Sequence, residues 1–307
     1  MGDSGLIMDK SLMDELKIVT TFKADLGESP LWDSEKKIIY WVDIISKKLF
    51  SYNIETDISS IINFNNFLGC IALRKNGEFL AASEEGFYFF NRNTFSYNKL
   101  FNPEEEMPKN RFNDGKCDAA GRFWVGSTTY DENKKNGSLY CIDKNLNCKK
   151  VLGDITVSNG IAWSLDNKTM YYIDSPTKKV RAYDYDIKNG EIKNERVIII
   201  FNEEEGYPDG MTVDAEDKLW IAHWGGYKVG RWDPSNGKML GKIDIPVERV
   251  SSVTFGGDGL DELFITTAVR GFNEKVQDIN NSGNKYDGML FRIKIKNKGI
   301  SSYRFAG

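Results

Sequence analysis

One histidine in 307 residues is the scarcity that most restricts the chemistry open to this sequence. His223 alone cannot build a multi-histidine zinc site, and any Ser-His-Asp or Cys-His relay would have to pass through it. A bound metal would therefore be held mainly by oxygen. Basic charge is also short: 41 Lys and Arg against 45 Asp and Glu leave a net charge of −4 and a pI near 5.4. Nucleic acid and anionic membranes both require a basic face, so neither is expected as a partner. No apolar run approaches the ~18 residues that span a bilayer. Residues 1–15 lack the basic start and apolar stretch of a secretory signal, and read as a flexible extension.

The four cysteines, Cys70, Cys117, Cys141 and Cys148, show no Cys-x-x-Cys spacing. This argues against a zinc–thiolate site or redox pair and for a reduced, cytoplasmic setting. Cys141 and Cys148 flank the turn-rich Asp143-Lys144-Asn145-Leu146 and would face each other across a hairpin, although two unpaired thiols are the simpler expectation. Helical periodicity is missing as well: no segment carries a 3.6-residue apolar stripe over three turns.

What is present is a repeat. Short strands of β-branched and aromatic residues alternate with Asp, Asn and Gly turns, which predicts an all-β chain. Six stretches share one grammar and open on Glu28, Gly69, Asn113, Asn159, Asp209 and Ser251. Their spacing of roughly forty to fifty residues is that of one four-stranded propeller blade. The expectation is a six-bladed β-propeller over residues 16–307, with the apolar segment 16–21 pairing into the last blade to close the ring.

The first strand of a blade is innermost, so the six opening residues should ring a central channel. Two carboxylates and two carboxamides at that level are the oxygen set a hard divalent cation requires. Asn and Asp before a strand are also ordinary turn residues. The shared register favours the ring, as does Glu28, which is a poor turn former. Arg111 lies two residues before Asn113, and the polar insertion 128–136 is expected to act as a lid over the channel mouth. There Arg111 could bind a polyhydroxylated or anionic ligand, with Asp131 or Glu132 accepting from hydroxyls. Trp41, Trp124 and Trp220 are expected at equivalent repeat positions, packing between blades. His223 is expected to be buried and hydrogen-bonded, and the polar stretch 270–287 to be an exposed loop.

The runs Gly27-Glu28-Ser29-Pro30-Leu31-Trp32, Arg111-Phe112-Asn113-Asp114-Gly115-Lys116, Ser158-Asn159-Gly160-Ile161-Ala162-Trp163 and Tyr207-Pro208-Asp209-Gly210-Met211 resemble the signatures of the regucalcin, gluconolactonase and luciferin-regenerating-enzyme family. The resemblance implies a six-bladed propeller, one divalent metal ion and lactonase activity on aldonolactones such as gluconolactone. By position it implies Glu28, Asn159 and Asp209 as metal ligands, Arg111 and Asn113 as substrate contacts, and Asp131 as a lid acid. Oxygen ligands suit calcium, magnesium or manganese by hardness, and relatives are also assayed with zinc or iron(II). The expected reaction is hydrolysis of a small lactone by a monomer, with the metal as Lewis acid and Asp209 as acceptor of the water's proton. Water activated by the metal is the alternative. Two rival readings share the scaffold: a phosphotriesterase-type hydrolase and a non-catalytic calcium-binding protein.

Overall fold

The run Ile39-Tyr40-Trp41-Val42 shows how these sequences specify buried sheets. In the computed structural model, which describes residues 15–274 and 284–307, it lies in strand Ile38–Asp43. Ile39 and Trp41 pack with Trp32, Phe50 and Phe264, whereas Tyr40 and Val42 pack with Ile71 and Phe79. Alternate side chains thus reach opposite neighbouring sheets, and a strand covered on both faces needs no polar face. Such clusters fill the six junctions between adjacent sheets.

The six sheets are four-stranded and antiparallel, making a six-bladed β-propeller. Five blades run in chain order outward from the innermost strands Gly27–Asp33, Leu68–Leu73, Asn110–Cys117, Ser158–Trp163 and Tyr207–Val213. The sixth combines Val250–Gly256, Glu262–Thr267 and Phe291–Lys294 with Lys17–Ile18 as its outermost strand. Lys17 pairs with Arg292 and Ile18 with Phe291, and the Val19 N–H donates to Leu290 O at 2.9 Å. The expected closure by segment 16–21 is therefore observed, through a two-residue strand. Among the described residues no helix is long and apolar enough to cross a membrane.

Each innermost strand carries a bulge at the level of the repeat-opening residues. Phe112 pairs with Ser127 and Gly115 with Val125, so Asn113 and Asp114 together oppose Gly126. Asn159 and Asp209 occupy the same first bulge position as Asn113, and Gly69 and Ser251 are the extra residues of theirs. A bulge bends its strand and re-aims the side chains within it. Glu28 departs from the expected column by one residue. It still pairs with Val42, and the bulge begins at Ser29, whose φ is 49°. Close contact between blades also needs glycine here: a Cβ on Gly160 would lie 2.6 Å from Asp209 O.

Three further expectations are refined. Trp124 opposes Lys116 and Trp220 opposes Thr212 in equivalent places, each donating Nε1–H to an aspartate (Asp118, Asp214) at 2.9 Å. Trp41 is not equivalent to them, since it falls opposite the bulge, although all three pack between blades. Cys148 pairs with Ile142 and Cys141 with Lys149, and both cysteines are free. Burial pushes both thiols up to about 12. Of the expected extension 1–15, residues 1–14 lie outside the described residues, as do residues 275–283 of the stretch 270–287.

Candidate metal and substrate site

The bulged ends of the innermost strands open into a cavity of about 200 Å³ at one mouth of the channel. Glu28, Arg111, Asn113, Asn159 and Asp209, contributed by four blades, all line it. Each is buried, with no more than 5% of its surface exposed. Loops add Glu132 and Phe272, a short 3-10 turn adds Ser175, and the end of strand Leu219–Trp224 adds Trp224.

Two carboxylates share this buried space. Burial, and then the charge of Asp114, push Glu28 up to about 8. Asp209 is held well above the usual carboxylate range by burial, then by Glu28 and Asp114. Among the described residues its buried Oδ1 meets no hydrogen-bond partner, while Glu28 Oε2 accepts only the adjacent Ser29 N–H at 3.1 Å. Orphaned carboxylate oxygens in an apolar interior are costly unless a cation or proton meets them.

Asn159 is oriented by its surroundings. Its Nδ2 donates to Ser175 Oγ at 2.8 Å, and that hydroxyl donates to Pro208 O at 2.7 Å. The Oδ1 accepts from Asn113 Nδ2 at 3.1 Å and retains a lone pair. Among the described residues no group of three His, Cys, Asp or Glu side chains is arranged to hold a metal. A cation here would be met by two carboxylates and the Asn159 carbonyl oxygen. That donor set suits a hard divalent ion, and the orphaned Asp209 oxygen fits one.

Arg111 is committed inward more than expected. Nη1 donates to Asn113 Oδ1 at 2.6 Å, Nη2 meets Glu132 Oε1 at 2.5 Å, and the guanidinium lies 4.3 Å from the Phe272 ring centre. Of the two acids expected in the lid, Glu132 lines the cavity. Asp131 is exposed and pairs with Lys134 at 3.3 Å, so it is brought away from the other expected site residues. The cause is local: Glu132 has φ 51° and its N–H donates to Thr129 O, a turn that carries the second acid inward and the first outward.

Below the site, Asp114 is buried and Lys116 Nζ reaches across the channel to Met211 O at 2.5 Å. Burial raises Asp114 and lowers Lys116, and their opposite charges offset part of each shift. Asp114 was open to sequence reasoning, since it shares the bulge with Asn113. Ser175 and Phe272 come from connecting segments without a repeat position and left no such signal.

Residues 26–269 match the family model described as the SMP-30/Gluconolactonase/LRE-like region. The chain belongs to this family. A Bacillus subtilis protein whose name proposes a sugar lactone lactonase is 34% identical over 285 residues, covering 93% of this chain and 96% of its own. Regucalcin of Xenopus laevis is 35% identical over 303 residues, covering 97% and 99%. Among solved structures, luciferin-regenerating enzyme is 30% identical with a TM-score of 0.87, covering 95% of this chain and 99% of that one. A calcium-binding regucalcin of Agrobacterium tumefaciens, at 24% identity and a TM-score of 0.88, shares the fold over 94% and 97%.

Proposed function

We propose that this member of the family hydrolyses a small lactone, of the sugar-lactone class, at one divalent cation held by Glu28, Asn159 and Asp209. The observation that carries the reading is the pair of buried carboxylates with an unpartnered Asp209 oxygen beside a fixed carboxamide. Support also comes from the family description, which includes gluconolactonase, and from the lactonase name of the Bacillus relative. Bound there, a divalent cation supplies Lewis-acid polarisation of the ester carbonyl and charge to offset the developing oxyanion.

The chain's own groups do the rest. Asp209 accepts the proton of the attacking water, and that proton passes to the ring oxygen as the acyl C–O bond breaks, leaving the hydroxy acid. Asn113 and Glu132, braced by Arg111, orient the hydroxyls of the substrate. A monomer in a reducing, cytoplasmic setting suits the four free cysteines. The test is a matrix of calcium, magnesium, manganese, zinc and iron(II) against aldonolactones and an organophosphate ester, on chelator-stripped protein. Metal-restored turnover of a lactone supports the reading. Turnover of the phosphoester alone, or tight metal binding without turnover, contradicts it.

A further inference from the structure

We propose that Tyr130 is a positioning residue that latches the loop 130–136 so that Glu132 meets Arg111 at the cavity mouth. Strand Phe123–Thr129 ends immediately before Tyr130, and the loop beyond it is exposed apart from half-buried Glu132. An exposed glutamate-bearing loop with a residue in the left-handed region does not hold one shape by itself. Something must fix its first residue.

The Tyr130 hydroxyl donates to Glu84 Oε2 at 2.7 Å, and the Tyr130 N–H donates to Lys109 O at 2.9 Å. Glu84 is itself fixed from the neighbouring blade: its Oε1 accepts the Phe67 N–H at 3.1 Å, and its own N–H donates to Phe67 O at 3.0 Å. The Tyr130 ring stacks on Phe272 at 5.6 Å, and Phe67 meets Phe272 edge-on at 5.0 Å. Phe272 in turn lies under the Arg111 guanidinium. Glu84, Tyr130, Phe272 and Arg111 thus form one continuous support, running from the first residue of the loop to the guanidinium that meets Glu132. The far end of the loop is pinned separately, where Asn110 Nδ2 donates to Asn136 O at 3.0 Å.

The link to substrate rests on the lactonase reading, whereas the latch itself does not. Tyr130→Phe keeps the stacked ring and removes only the donor to Glu84. Two readouts are taken on the calcium-loaded protein: backbone hydrogen exchange at Tyr130 and Glu132, whose N–H groups donate to Lys109 O and Thr129 O, and kinetics on δ-gluconolactone. The expected result is about 5-fold faster exchange at these amides, the size given by one lost hydrogen bond. KM rises by a similar factor with kcat nearly unchanged, because a displaced loop weakens binding of substrate and transition state alike. Unchanged exchange at Tyr130 and Glu132 overturns the latch. Faster exchange with an unmoved KM overturns its role in binding substrate. If the parent opens no lactone and the variant still exchanges faster, the hydrolase reading falls and the latch stands.

Discussion

Arg111 and Asn113, two residues apart on one strand, are joined by a 2.6 Å hydrogen bond from Nη1 to Oδ1. The same guanidinium holds Glu132 through Nη2, and Asn113 passes the constraint on to Asn159. One planar cation therefore sets the position of Glu132 and of a carboxamide expected to touch metal. A lysine carries its three donors on one atom and lacks the planar fork whose separate nitrogens reach the two partners.

Arg111→Lys should accordingly lower kcat/KM on the preferred lactone by about 10- to 100-fold, the equivalent of one lost charge-assisted hydrogen bond of ~1.5–3 kcal/mol. Steady-state kinetics beside a urea melt will separate this from simple unfolding. A near-parental kcat/KM would remove Arg111 from the account.

Gly160→Ala should open the junction between the fourth and fifth blades, because the added Cβ would sit 2.6 Å from Asp209 O and 2.8 Å from Ile173 Cδ1. Overpacking of this kind costs ~1–3 kcal/mol of unfolding free energy. The shift moves the strand that carries Asp209, so the variant should also need more cation for half-maximal stabilisation. A urea midpoint matching the parent would show that the junction is looser than described.

His223 offers a clean probe of the interior, since no second imidazole overlaps its signals. Its Nδ1 lies 2.8 Å from Glu205 O, and its ring stacks on Trp232 and lies tilted against Phe201. Burial pulls its pKa down to about 3. In the unfolded chain an imidazole titrates near ~6.5. The stability contributed by the neutral form is therefore complete above that value, and is lost as pH falls from there toward about 3. The imidazole Cε1–H resonance should stay flat from pH 8 to 5 (ordinary histidines titrate within this range). A midpoint near 6 would contradict the buried placement.

The fold was legible because propeller strands repeat their burial on both faces, so runs such as Ile39 to Val42 recur with turns at blade spacing. Asn113, Asn159 and Asp209 were legible for the same reason, each opening its repeat at the first bulge position. Glu28 shows the limit: the sequence aligns it with the others, but the bulge in its strand starts one residue later. Asp131 and Glu132 show another. Adjacent acids in a polar loop are equivalent by composition, and the choice is made by a backbone turn at Glu132 and by Arg111 on another strand. Phe67, Tyr130 and Phe272 meet only because three loops from different blades converge over one mouth, which no local pattern encodes.

Thermal melts of chelator-stripped parent and Asp209→Asn, with and without calcium, test the buried carboxylate pair most directly. The amide keeps the shape and removes one charge, so without cation the variant should exceed the parent by ~1–3 kcal/mol. Calcium at about one hundred times its dissociation constant should stabilise the parent by ~2.7 kcal/mol and leave the variant unmoved. Equal cation responses in the two proteins, or a parent that no divalent ion stabilises, would contradict the site.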